Sequence, residues 1–96
     1  MHGAGERGND NVSQLIHGGN LFLEKENREK YNSWVIFPQA PQNDWWGYKD
    51  PYKFAYNVKE SKAISLVVKL MDSFIERSDV DTNRVYVSGL SMGGMG

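Results

Sequence analysis

"RVYVSGLSMGG", residues 84–94, decides how this chain is read, because a β-branched and aromatic run passes without a break into a serine spaced between glycines. Arg84-Val85-Tyr86-Val87-Ser88 predicts a strand. Gly89-x-Ser91-x-Gly93 then matches the nucleophile-elbow pattern. A strand that must reverse into a helix within three residues forces the serine into a strained backbone conformation, and side chains two residues to either side would collide. The turn lifts the Ser91 hydroxyl above the strand end and aims the next backbone N–H groups, starting with Met92, at whatever binds there. A phosphate-binding P-loop is the rival for a glycine-rich turn, and it fails because no lysine follows Gly94.

Upstream, "DVDTNR" predicts a turn built from residues whose side chains bond their own backbone. Before it, Ile64, Val67, Val68, Met71, Phe74 and Ile75 recur at intervals of three and four, which predicts a helix over Val58 to Arg77. Asn57 and Glu60 have the spacing of a capping pair for its start. Trp34 to Phe37, closed by Pro38, predicts a short buried strand. "QAPQNDWWGYKDPYKF" after it predicts a long ordered loop, a kind of segment often functional in compact domains. Near the amino end, residues 1–11 predict a loop, Val12 to Ile16 a short helical turn ended by Gly18 and Gly19, and residues 20–31 a weak helix or charged loop anchored by Leu21, Phe22 and Leu23. Strand, helix, turn and strand in this order are the alternation of an α/β protein with parallel strands.

The totals bound the rest. Ninety-six residues allow at most one small domain, so a fold of about 200 residues would be incomplete here. Eleven basic against twelve acidic residues leave a net charge of -1 and no basic footprint for nucleic acid. There is no cysteine, which removes disulfides, thiol catalysis and thiolate metal sites. The two histidines, fifteen residues apart, match no metal-ligand spacing. The longest apolar run, Ile64 to Leu70, is too short and interrupted to span a membrane.

"HGAGERG", residues 2–8, carries Gly3, Gly5 and Gly8 at the G-x-G-x-x-G spacing of a dinucleotide-binding turn. That turn needs a strand before it, a helix after it and an acid about twenty residues on. No strand precedes it and "GNDN" is a poor helix opening, although Glu24 and Glu26 lie near the required distance. A Rossmann-type nucleotide binder therefore stays as an alternative, as does a non-catalytic α/β binding module.

Taken together, "HGAGERG", "VIFPQAP" and "VDTNRVYVSGLSMGG" resemble the α/β-hydrolase superfamily, in particular its esterase and predicted-peptidase branch, related to carboxylesterases and dienelactone hydrolases. The resemblance implies a partial α/β-hydrolase fold over residues 1–96, a mostly parallel sheet flanked by helices. It implies acyl transfer on a carboxylic ester or peptide, with no cofactor. Ser91 would be the nucleophile, and the backbone N–H groups of Ala4 and Met92 the oxyanion hole. In that superfamily the acid and the histidine follow the serine, so the resemblance implies that both are missing here and that a strand before His2 is missing too. The two remaining strands would then not be neighbours, and the segment alone would be inactive and unstable, with unpaired edges. His2 would brace its loop, and His17 is a loop histidine. Trp45, Trp46 and Tyr48 could wall a substrate pocket or pack their own loop; Glu6 and Arg7 could touch substrate or pair with each other. Cellular location is left open.

Overall fold

A computed structural model describes residues 1–47 and 59–96. Among the described residues, regular structure is helical: α1 (Gly19–Leu23), α2 (Lys25–Lys30) and α3 (Lys62–Ile75), with 3-10 turns at Ala4–Glu6, Ser13–Leu15 and Ser91–Gly94. The expected partial α/β-hydrolase fold with a mostly parallel sheet is therefore corrected: the described residues contain no strand and no sheet. Trp34 to Phe37 and Arg84 to Ser88 have the composition of strands but no ladder along them, and Trp34, Val35, Val85, Tyr86 and Val87 are exposed. Propensity makes a segment suited to a half-buried pleated surface, but a strand exists only when a neighbour takes up its N–H and C=O groups.

One pair of bonds has ladder character. The Met1 amine donates to the Ser88 carbonyl at 2.5 Å and Leu90 N–H donates to the Met1 carbonyl at 3.0 Å. This alternation is that of parallel pairing, and it stops after one residue.

The long helix forms where its apolar spacing predicts, but it starts later than Val58. Ser61 is the cap, with its hydroxyl accepting from Ile64 N–H at 3.1 Å, while Asn57 lies outside the described residues. Asp44 reinforces this end by accepting from Ala63 N–H at 2.8 Å. The inward face comprises Ala63, Ile64, Val67, Met71 and Phe74; Val68 and Ile75 face solvent. The 20–31 segment is two short helices rather than one, broken at Glu24, whose φ of -57° and ψ of 133° leave the helical region. The "DVDTNR" turn closes as expected: Asp81 accepts from Asn83 N–H at 3.0 Å and from Arg84 Nε at 2.7 Å.

The core is small and local. Ala40, Trp46, Ala63 and Met92 are buried together, with Met1, Ala4, Trp45, Ile64 and Val67 packed against them. Four separate stretches of chain thus meet beneath Ser91: the amino-terminal loop, the 40–47 loop, the start of α3 and the serine turn. The 34–37 segment is held at a distance from this core by aromatic edges, Trp34 on Phe74 at 5.8 Å and Phe37 on Phe22 at 5.6 Å. No helix among the described residues is long and apolar enough to cross a membrane.

Candidate active site

The serine turn is built by sterics. Leu90 arrives extended, at φ -106° and ψ 129°, Ser91 adopts φ +50°, and a 3-10 turn runs on through Gly94. A non-glycine residue in the left-handed region costs about 1 kcal/mol or more and persists only when its surroundings enforce it. The enforcing contacts are at the flanking glycines. A Cβ on Gly89 would run into the Gly93 carbonyl, and a Cβ on Gly93 would run into the Met1 carbonyl and lie 2.9 Å from the His2 carbonyl. Gly93 N–H donates to the Leu90 carbonyl at 2.8 Å and Met95 N–H to the Met92 carbonyl at 3.2 Å, so the turn is closed by its own backbone. Ser91 itself is exposed while Met92 and Gly93 beneath it are buried.

The amino-terminal loop lies against this turn. Its own 3-10 turn, Ala4–Glu6, packs on the one at Ser91–Gly94, and a Cβ placed on Gly3 would lie 3.8 Å from the Ser91 Cβ and 3.9 Å from the Leu90 carbonyl. The structure thus brings Ala4, Ser91 and Met92, from the two ends of the chain, into one neighbourhood. Neither Ala4 N–H nor Met92 N–H meets an acceptor among the described residues.

His2 fixes the loop. It is buried, its Nε2 accepts from Ala40 N–H at 2.9 Å, and its Nδ1 lies 2.6 Å from the Gly3 carbonyl. An Nε2 that accepts leaves the proton on Nδ1, which then donates to Gly3. A trans peptide is planar, so its C=O and N–H point in opposite directions. Holding the Gly3 carbonyl on the His2 side therefore turns the Ala4 N–H away from His2. Trp46 locks the same residue from behind, its Nε1 donating to the His2 carbonyl at 3.0 Å and its ring meeting the imidazole edge-on at 5.0 Å. With both nitrogens engaged, His2 is unavailable as a base.

The remaining candidates separate. Trp46 is 1% exposed and is the largest fully buried side chain among the described residues, a core residue rather than an open pocket wall. Trp45 is half-buried under the Arg7 guanidinium, 3.9 Å above its ring. Arg7 also donates to the Ala4 carbonyl at 2.9 Å and to the Gln42 carbonyl at 3.2 Å, tying the amino-terminal loop to the 40–47 loop. Arg7 and Glu6 do not pair with each other; Glu6 faces His17, Nε2 to Oε1 3.5 Å. Tyr48 lies outside the described residues. No group of histidine and acidic side chains among the described residues could hold a metal ion.

The loop's far end is organised by Asp10, a residue that spacing alone left as turn filler. Its carboxylate accepts from Ser13 Oγ at 2.5 Å, Ser13 N–H at 3.0 Å, Val12 N–H at 2.9 Å and Gln39 Nε2 at 2.8 Å. These donors, the Ser13 hydroxyl foremost, hold its pKa well below the usual carboxylate range. The link of Gln39 to Asp10 and of the buried Ala40 to His2 was also missed, since no local pattern marks an alanine as the centre of a core.

No family model matches the chain, and comparisons with curated proteins and with solved structures return no significant match.

Proposed function

We propose that Ser91 is the nucleophile of a serine hydrolase that acts on carboxylic esters or peptides by acyl transfer. The observation that carries this reading is the backbone of Ser91 itself: an exposed serine at φ +50°, held there by two glycines that tolerate no side chain, beside two amides that meet no acceptor among the described residues. Strain of this kind in a side chain that faces solvent is a marker of function. In the proposed reaction Ser91 Oγ attacks the carbonyl carbon, and the Ala4 and Met92 N–H groups receive the developing oxyanion; removing one such donor typically costs about 3 to 4 kcal/mol. The three blocks of sequence that resemble the α/β-hydrolases support the same chemistry.

The role of proton acceptor is assigned to neither histidine. Of the two histidines, His2 is spent on Gly3 and Ala40, and His17 faces Glu6. In the superfamily that the sequence resembles, the base and its orienting acid follow the nucleophile in chain order. A fluorophosphonate probe tests the reading on the whole protein: Ser91 becomes phosphonylated and the Ser91→Ala variant does not. An unlabelled Ser91 in the whole protein would leave a non-catalytic binding module as the better account.

A further inference from the structure

We propose that Glu6 selects substrates with a cationic group, an ammonium or guanidinium, close to the scissile carbonyl; the inference rests on the serine-hydrolase reading. Glu6 ends the 3-10 turn of the amino-terminal loop, and its backbone is fixed at both ends. Its N–H donates to the Gly3 carbonyl at 3.4 Å and its carbonyl accepts from Gln39 Nε2 at 3.1 Å. The side chain folds back over Gly3, so that Oε2 lies 2.9 Å from the point a Gly3 Cβ would occupy, and that same point is 3.8 Å from the Ser91 Cβ. The space that a side chain at residue 3 would fill thus lies between the Glu6 carboxylate and Ser91.

This carboxylate is 15% exposed, and among the described residues its ion-pair partner is His17, at 3.5 Å and with a side chain 56% exposed. Next to Glu6 in the chain, the Arg7 guanidinium is occupied by the Trp45 ring and by the Ala4 and Gln42 carbonyls. A negative charge beside a developing oxyanion raises the barrier, and does so more strongly where water is thin. A cation brought by the substrate reverses that effect: it pairs with Glu6 and offsets the oxyanion charge in the same step. A fixed carboxylate can read a cationic side chain, as the aspartate in the specificity pocket of trypsin does.

The test uses three fluorophosphonates of matched size, with a trimethylammonium, a tert-butyl or a carboxylate arm, on the whole protein. The expected order of Ser91 labelling rates is cationic, neutral, anionic, with the cationic probe about tenfold or more ahead of the neutral one. Glu6→Gln brings the cationic-to-neutral ratio close to one. Equal rates in the unaltered protein, or a ratio that survives Glu6→Gln, would overturn the proposal. Should Glu6→Gln not fold, Glu6→Asp keeps the charge on a shorter arm and is expected to lower the cationic-to-neutral ratio severalfold; an unchanged ratio would overturn the assignment. Labelling of Ser91 without charge preference defeats the Glu6 assignment alone; no labelling by any probe defeats the serine-hydrolase reading together with it.

Discussion

The turn at Ser91 and the segment at Arg84 to Ser88 are neighbours in sequence and opposites in construction. Residues 89–94 are closed by their own backbone, seated on Met92 and Trp46 and bordered by glycines with no room for a Cβ. Residues 84–88 are β-branched and aromatic yet exposed, Tyr86 at 85%. Trp34 to Ile36 repeat the second condition, and so do Leu66, Val68 and Leu70 on the outer side of α3. The difference teaches where information lies. A glycine spacing acts within a few residues and needs nothing else, whereas a strand is completed by atoms far away in the chain.

The contrast is broken most forcefully at Trp46. Trp46→Ala empties the core under the serine turn and removes the bond to the His2 carbonyl, an expected loss of about 3 to 5 kcal/mol. Tyr86→Ala, an equally drastic truncation on the exposed segment, is expected to change stability by about 0.5 kcal/mol or less. Urea unfolding of both variants measures the gap; similar losses would mean that residues 84–88 are packed after all. Gly93→Ala comes next. Its Cβ meets the Met1 and His2 carbonyls, so the two turns must separate, at about 1 to 3 kcal/mol by the same measurement and with loss of Ser91 labelling.

Ser91→Gly sharpens the comparison in the opposite sense. Glycine accepts φ +50° freely, so this variant is expected to gain up to about 1 kcal/mol in urea unfolding while losing all labelling. A destabilised Ser91→Gly would show that the serine is not strained. The smallest effect is at Asp10. Its folded carboxyl releases its proton more readily than an unfolded one, so its four bonds contribute fully above about pH 4 and fade as the pH falls toward the depressed value. Hydrogen exchange at the Val12 and Ser13 amides should accelerate over that acid range, and Asp10→Asn should abolish the dependence.

These differences also explain what the sequence disclosed. The α3 register was legible because Ile64, Val67, Met71 and Phe74 repeat with the helix itself, but its start was not, since Ser61 and Asp44 cap it from a loop whose path no periodicity records. The serine turn and its meeting with the amino-terminal loop were legible because steric exclusion is local and the H-G-x-G block is distinctive. The sheet was misjudged because Val85, Tyr86 and Val87 carry propensity without a partner. The aromatic pair was ambiguous for a related reason: identical neighbours, Trp45 and Trp46, have opposite fates, one under Arg7 and one in the core, and only the folded loop decides which. The sequence offered Glu6 as a substrate contact or as half of a pair with Arg7, and did not decide between them because its position depends on an absence, the missing side chain of Gly3.

The central claim is that the Ala4 and Met92 amides form one anion site at Ser91. Backbone amide NMR on the whole protein, titrated with an alkyl boronic acid that adds to a serine hydroxyl as an oxyanion mimic, tests it directly. The account predicts that the Ala4 and Met92 signals shift together with one saturation curve and that Ser91→Ala abolishes both shifts. Movement of Met92 with Ala4 unmoved, or of neither, would contradict it.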